Sequence, residues 1–185
     1  AKVNLLLKIT SVEKNGYHKL FSVMQTVSLY DVVTLQLLDE NKVIIECTDK
    51  SISGEKNLCY KILHSFKCKY KIKPGVKAII QKNIPVGSGL GGASSDASGV
   101  LTGFLKLLKT KTPLKELIKF SSQYGKDIPF FFYKGTCIAE SYGEKITKLK
   151  LPWEEPLWFV LVYPNIKLST EKVYKKYDEI YKNIG

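Results

Sequence analysis

The chain has 185 residues, of which 44% are hydrophobic and 25% charged, so it is long enough to bury a core and lacks the composition of a disordered chain. Its longest apolar run near the C-terminus, Leu157 to Tyr163, is far shorter than the roughly 20 residues that a membrane-spanning helix needs. The apolar stretch at the N-terminus is too short for a signal peptide, so we expect a soluble protein with no membrane partner.

The net charge of +12 comes from lysine alone, because the sequence contains no arginine. Arginine is the residue that most often makes bidentate contacts with phosphates and bases, and the lysines are scattered rather than grouped in a basic stripe. We therefore expect no nucleic-acid partner. A small anionic substrate suits this charge equally well.

The cysteines and histidines argue against a metal site built on them. The four cysteines form no C-x-x-C pair and have no zinc-ligand spacing (Cys47, Cys59, Cys68 and Cys137). A chain of this size does not need disulfides for stability, so we expect reduced thiols. Only two histidines are present, and we assign no metal ligand in the protein.

The first fifty residues carry four strand patterns. An apolar run from Val3 to Val12 is followed by Asn15-Gly16, the strongest short signal for a hairpin, and by a return strand over Tyr17–Leu29. The stretches DVVTLQLL and KVIIEC predict two more strands. The chain is therefore expected to open with a β-meander or a mixed sheet.

Helical and strand patterns alternate in the middle of the chain. Apolar residues at helical spacing predict a helix over Asn57–Tyr70, and the run VKAII predicts a strand after it. A glycine-rich loop then leads into a second helix, with Ser94 or Ser95 at its cap position.

The last third of the chain continues the same mixture. A third helix is predicted with Thr112 as its cap, Pro113 in its first turn and its end at Gly125. The letters FFFY predict a short helical turn, TCIAES a strand, LWFVLVYP a buried strand and STEKVYKKYDEIY a final helix. The predicted fold class is α+β, with strands concentrated at the start.

The glycine-rich loop, PVGSGLGGASSDA from Pro85 to Ala97, is the most informative stretch. It matches G-x-G-x-x-G formally, but no acidic residue follows at the distance that a dinucleotide-binding unit requires. No lysine stands where a Walker loop has one, and the protein-kinase motifs are absent from the sequence.

A strand, a glycine-lined loop and a serine-rich helix start still point to one chemistry. Glycines let the backbone approach a ligand closely, and the first N–H groups of a helix face an anion together with the positive end of the helix dipole. Serine hydroxyls can donate to the same anion or hold a metal ion. The loop therefore predicts a phosphate-binding site.

These letters also resemble a known family. PVGSGLGGASSDA resembles the phosphate-binding motif of the GHMP small-molecule kinases, although Ala93 and Ser98 replace a glycine and an alanine that are common there. Further stretches agree in the same order along nearly the whole chain: AKVNLLLKI, NGYHKL, GKDIPFFF, AESYGE and YPNIKLSTEKVY. The resemblance implies the α+β fold of the family's N-terminal, ATP-binding domain over residues 1–150, a fold that resembles a ribosomal protein domain. Residues 151–185 would be the first strand and helix of an incomplete C-terminal domain.

The implied activity follows from the branch of the family that the motifs resemble most. That branch uses ATP to phosphorylate the 2-hydroxyl of a cytidine-diphosphate-linked methylerythritol in the non-mevalonate route to isoprenoid precursors, with Mg²⁺ as a further cofactor. The protein would then be cytoplasmic, or would lie in a plastid-type organelle in a eukaryote. The alternatives are another GHMP kinase with a different alcohol, and a non-catalytic nucleotide-binding module. The oligomeric state stays open.

The resemblance also assigns residues to roles. It implies that Asp127 is the general base and that Lys2 stabilises the transferred phosphoryl group or tunes Asp127. The alcohol and its cytidine would be bound by Asn4, Tyr17, His18 and Tyr174. ATP would be bound by Asn57, Lys82 and the loop residues Pro85, Val86, Gly87, Ser88, Gly89, Leu90, Gly91, Gly92, Ala93, Ser94 and Ser95.

Overall fold

The computed structural model describes residues 1–13, 16–152, 155–166 and 169–181. Its strands are β1 (Lys2–Val12), β2 (His18–Thr26), β3 (Val32–Leu38), β4 (Val43–Cys47), β5 (Gly75–Gln81), β6 (Thr136–Ser141) and β7 (Lys145–Lys148). Its helices are α1 (Leu58–Tyr70), α2 (Gly92–Leu107), α3 (Leu114–Ser121), α4 (Ile128–Tyr133) and α5 (Thr170–Tyr181), with a short 3₁₀ helix at Lys50–Ile52.

The strands form two sheets rather than one meander. The first sheet has the order β1-β2-β6-β7 and is antiparallel throughout. The second has the order β3-β5-β4, in which β4 and β5 run parallel. The strands predicted over the first fifty residues, at VKAII and at TCIAES are confirmed. Of the two arrangements expected for the opening, the meander is wrong, because β5 inserts between β3 and β4 while β6 pairs with β2, and the second sheet is a mixed one. The β1–β2 hairpin is confirmed by the pairing of Val12 with His18, whereas Asn15 lies outside the described residues.

Two apolar clusters hold these layers together. The larger one packs α1, α2 and α3 on the inner face of the second sheet, with Phe66 and Phe104 fully buried at its centre. The smaller one packs α4 on the first sheet through Met24, Phe130 and Phe131. All four cysteines are free thiols, as predicted. The glycine loop between β5 and α2 therefore rests on two packed layers.

Two predicted helix ends are wrong by a few residues. Helix α2 begins at Gly92, and its cap is Gly91 in the left-handed conformation with φ +71°. A side chain rarely adopts that φ, so the glycine starts the helix before the two serines, and Ser94 and Ser95 lie inside the first turn. Helix α3 has Pro113 itself at the cap position and ends at Ser121, short of the predicted Gly125.

The predicted strand LWFVLVYP is also wrong. Residues 157–163 form no strand, and Trp158 and Val160 are 91% and 93% exposed. Within the described chain no sheet edge pairs with this run, so its apolar side chains have no layer to be buried against. The final helix is confirmed as α5. Among the described residues, no helix is both long and apolar enough to cross a bilayer.

Candidate active site

The glycine loop forms one wall of a cavity of about 440 Å³. Residues 85–94 all line it, and the opposite wall comes from the 3₁₀ helix and the start of α1, including Lys56 and Asn57. Gly87, Gly89 and Gly91 have φ values of +76°, +77° and +71°, so the loop curls through the left-handed region at every second residue. Alternation of this kind turns successive N–H groups toward one point, which is the backbone arrangement of many anion sites.

The first turn of α2 closes the end of this cavity. Gly92, Ala93 and Ser94 line it, and the sixteen-residue helix directs its positive dipole end toward it. Ser95, which was assigned to the same site, lies instead on a separate cavity of about 630 Å³ on the other side of α2, and its N–H bonds to the carbonyl of Gly91. Ser95 is therefore the one predicted loop residue that the structure places away from the cavity.

Lys2 and Asp127 meet beside the loop, although they are far apart in sequence. The Nζ of Lys2 lies 3.5 Å from Oδ2 of Asp127, and the backbone N–H of Lys2 donates to the carbonyl of Leu90 at 2.9 Å. A Cβ on Gly91 would stand only 3.0 Å from Cγ of Lys2, so the glycine leaves the space that the lysine stem occupies. Asp127 occupies the cap position of α4 but makes no side-chain cap bond, which leaves its carboxylate to the lysine.

A chain of polar side chains holds the ammonium of Lys2 in place. Its Nζ donates to Oδ1 of Asn4 at 2.7 Å, and Nδ2 of Asn4 donates to Oγ of Ser22, also at 2.7 Å. Ser22 is 1% exposed and donates in turn to the carbonyl of Leu6. Lys2 and Asn4 share a strand face, as predicted from their spacing. Ser22 was missed, and the signal for it is a lone serine at a buried position of β2.

Asn57 and Lys82 both line the cavity, but their side chains are already engaged. Oδ1 of Asn57 caps α1 by accepting from the N–H of Cys59 at 2.8 Å. Lys82 lies between two carboxylates, bonding to Asp31 and, at 2.8 Å, to Asp96. Its side chain is 10% exposed, so this buried triad forms the floor of the cavity rather than a free cation in it.

The two carboxylates of the triad differ in their donors. Burial raises the pKa of Asp96 to about 6, because its bond to Lys82 only partly offsets the loss of solvent. Burial also acts on Asp31, but hydrogen bonds from the N–H of Ile84, from Lys82 and from the N–H of Asn83 outweigh it and lower the pKa of that carboxyl. The surroundings therefore favour the charged form of Asp31 over that of Asp96, and Asp31 is the main counter-ion of Lys82.

The residues assigned to the cytidine lie at the start of β2 and on α5. Tyr17 is 63% exposed and meets Tyr142 edge-on, with ring centroids 6.0 Å apart. Tyr174 stacks on His18 rather than facing Tyr17, with centroids 4.5 Å apart and planes 22° from parallel. Burial raises the pKa of Tyr174, and the negative charge of Asp127 adds to that rise, so Tyr174 also lies near Asp127.

Two further residues of α5 contact His18 and were missed. Nε2 of His18 donates to Oδ1 of Asp178 at 2.7 Å, and the ring of Tyr177 meets the imidazole edge-on. Their signal in the sequence is the spacing of positions 174, 177 and 178, which places the three side chains on one helix face. A third cavity, of about 650 Å³, lies between this face and β1 and shares Gly87, Ser88 and Gly89 with the 440 Å³ cavity.

Similarity to known proteins shows the family of the chain. The family model for the GHMP kinases N-terminal domain matches residues 57–135. A 4-diphosphocytidyl-2-C-methyl-D-erythritol kinase of Clostridium tetani is 41% identical over all of this chain and 69% of its own length. The chain belongs to the 4-diphosphocytidyl-2-C-methyl-D-erythritol kinase family. Another kinase of this name, from Caldicellulosiruptor saccharolyticus, is 38% identical over 96% of the chain and 61% of its own length.

Solved structures support the same membership. A crystal structure of 4-(cytidine 5'-diphospho)-2C-methyl-D-erythritol kinase superposes with a TM-score of 0.77 at 28% identity, over 95% of this chain and 61% of that one. A mevalonate kinase superposes with a TM-score of 0.62 at 19% identity, over 80% and 54% of the two chains, which shows a shared fold. The chain thus spans 61 to 69% of the length of these three 4-diphosphocytidyl-2-C-methyl-D-erythritol kinases.

Proposed function

We propose that the protein uses ATP to phosphorylate the 2-hydroxyl of 4-diphosphocytidyl-2-C-methyl-D-erythritol. The observation that carries this proposal is the contact between Lys2 and Asp127 at the edge of the glycine loop, 3.5 Å from Nζ to Oδ2. A helix start that binds phosphate, next to a carboxylate paired with an ammonium, is the minimum that phosphoryl transfer to an alcohol requires.

In this proposal Asp127 takes the proton of the acceptor hydroxyl. Its side chain is 40% exposed, so a substrate can reach it, whereas the side chain of Lys2 is 10% exposed. The bonds from Lys2 to Asn4 and from Asn4 to Ser22 fix the ammonium beside the carboxylate. A fixed positive charge at this point offsets the charge that develops on the transferred group, at little cost in reorganisation.

The triphosphate would lie in the 440 Å³ cavity, against the N–H groups of the loop and of the first turn of α2. Mg²⁺ would come with the nucleotide and would neutralise charge on its phosphates. The donors present fit such an ion, since the Ser94 hydroxyl lines the cavity while Asp96 is bound to Lys82. The metal would be held mainly by phosphate oxygens, and Ser94, which the sequence alone did not assign to a metal, would be its ligand from the protein.

The cytidine would lie between Tyr17 and the face of α5 that carries Tyr174. Tyr17 is an exposed ring, and such rings stack on bases with about 1–3 kcal/mol per base. In this arrangement the base end of the substrate lies near β2 and its alcohol end near Asp127, which also acts on Tyr174. The division of the chain into domains at residue 150 stays a prediction.

The variant Asp127→Asn tests the role of the carboxylate. We expect turnover to fall by about 10²–10⁴ while the KM values for ATP and the alcohol stay similar, because the amide keeps the shape and loses the base. Lys2→Met should slow turnover as well, and the double variant should be little slower than the slower single variant. Glu46→Gln is the control, since its carboxylate pairs with Lys77 on the second sheet. Full turnover of Asp127→Asn in steady-state assays of ADP release would refute the assignment.

A further inference from the structure

The His18 imidazole is enclosed by a single face of α5. Its side chain is 6% exposed, and Asp178 lies at its Nε2. Tyr174 covers one ring face at 4.5 Å, and Tyr177 meets the ring at 84° with centroids 6.1 Å apart. Three side chains spaced by three and four residues thus converge on one ring of β2. We call these four residues the imidazole clasp.

The clasp connects α5 to β2 of the first sheet. Among the described elements, α5 shares no extensive contact with any strand or other helix. The residues that precede α5, 157–163, pair with no sheet edge in the described chain. The position of Tyr174 relative to the glycine loop and to Asp127 therefore depends on the contacts between α5 and His18.

The carboxylate of Asp178 fixes the orientation of the His18 ring. An ionised carboxylate only accepts hydrogen bonds, so Nε2 of His18 must carry the proton in this contact. That bond fixes the rotation of the imidazole, and the rotation sets the plane on which Tyr174 lies. The imidazole is then already engaged by α5.

We propose that Asp178 is a positioning residue that, through His18, sets Tyr174 and so builds the aromatic wall for the base-bearing end of the substrate before the substrate binds. This inference rests on the proposed function. It assigns to Asp178 a selective effect on the cytidylated alcohol, whereas the ATP cavity on the other side of the glycine loop contains no residue of the clasp.

The test compares Asp178→Ala with a neighbouring control. Glu179→Ala removes a carboxylate that is 65% exposed and bonds to Lys176 on the same helix. For Asp178→Ala we expect the KM for the cytidylated alcohol to rise by about 10- to 100-fold, as for loss of a hydrogen bond to a charged group, with the KM for ATP unchanged. Asp178→Asn should restore most of the affinity, because its amide oxygen still accepts from Nε2. Glu179→Ala should behave as wild type.

A second readout does not depend on activity. The sequence has only two histidines, so nitrogen NMR of histidine-labelled protein resolves His18 with His64 as the internal reference. Wild-type His18 should carry its proton on Nε2, and Asp178→Ala should lose that preference while His64 stays the same. If the wild-type protein turns over no cytidylated alcohol, the proposed function fails, and the NMR result alone then decides whether Asp178 sets His18.

A double-mutant cycle decides between positioning and general destabilisation. In a His18→Ala background, the further change Asp178→Ala should have no effect on the KM for the alcohol, because Asp178 acts through the imidazole. Additive effects of the two changes would overturn the inference. Equal rises in the KM values for ATP and the alcohol would overturn it too, as would an unchanged KM for the alcohol in Asp178→Ala.

Discussion

Removing the charge of Asp96 and removing that of Asp31, the two carboxylates that bond to Lys82, should change the stability of the protein in opposite directions. Asp96 has Lys82 as its hydrogen-bond donor, whereas Asp31 also accepts from the backbone N–H groups of Asn83 and Ile84. Both side chains are nearly inaccessible to solvent, at 7% and 1%. We therefore expect Asp96→Asn to stabilise the protein at neutral pH and Asp31→Asn to destabilise it.

The magnitude follows from the pKa of Asp96, which burial raises from 3.8 to about 6. The folded state then binds this proton more tightly than the unfolded chain, so the contribution of Asp96 to stability falls as pH rises from about 4 to about 6. A difference of roughly two units corresponds to about 3 kcal/mol of lost stability once the group is ionised. Asp96→Asn keeps the neutral form at every pH and avoids that loss.

The contribution of Asp31 to stability depends on pH in the opposite sense. Its pKa is lowered in the folded state, so its contribution is present above the unfolded value and is lost as pH falls through the folded value. Replacing it by Asn leaves two backbone donors and Lys82 poorly matched, which should cost about 1–3 kcal/mol at neutral pH.

Urea unfolding at about pH 4.5 and about pH 7.5 checks both changes. The free energy of unfolding of Asp96→Asn relative to wild type should increase by about 2 kcal/mol between these two pH values, whereas that of Asp31→Asn should lie below wild type by a similar amount at both, because both pH values are above the unfolded pKa of 3.8. The reasoning is wrong if Asp96→Asn loses stability relative to wild type as pH rises. That outcome would mean that attraction to Lys82 exceeds the cost of burying the Asp96 charge.

Two pairs of glycines give further matched predictions. Gly91→Ala should lower both thermal stability and turnover, since its Cβ would meet Lys2 and Phe131 at 3.0 Å, whereas Gly89→Ala, at a similar φ but with nothing within 4 Å, should cost only about 1–2 kcal/mol of strain. Equal turnover in the two variants would contradict the role of Gly91 in seating Lys2. In α2, Gly99→Ala should raise the free energy of unfolding by about 0.5–1 kcal/mol, because nothing lies within 4 Å of the new Cβ. Gly103→Ala should not show this increase in the free energy of unfolding, since its Cβ would stand 2.5 Å from Cδ1 of Leu35. A larger increase than for Gly99→Ala would show that the Leu35 side chain moves aside at no cost.

The sequence was sufficient for most of the elements and for the family. Periodicity located α1, whose apolar positions pack in the larger cluster, whereas an apolar run located β1 and the pattern STEKVYKKYDEIY located α5. The motif letters located the loop and, through the family resemblance, the pair Lys2 and Asp127, whose contact no local pattern predicts. The catalytic roles of these residues stay predictions.

The features that the sequence did not predict depend on contacts between distant parts of the chain or on backbone conformation, which local patterns do not contain. LWFVLVYP looks buried because it is apolar, but burial needs a neighbouring layer, and in the described chain none covers it. The start of α2 was misplaced because Gly91, rather than a serine, takes the cap conformation. Asp178 was missed because its partner His18 is 160 positions away, and no local pattern links the two positions.

The residues Gly87–Gly89 have a consequence for cooperativity. They separate the 440 Å³ cavity from the 650 Å³ cavity. This partition is one loop segment of two glycines and a serine, so it contains little besides backbone. A ligand that orders this partition from one side removes conformational freedom that a ligand on the other side would otherwise have to remove. We therefore expect occupants of the two cavities to strengthen each other's binding, by the same factor in either order of addition, as calorimetric titration in both orders would measure.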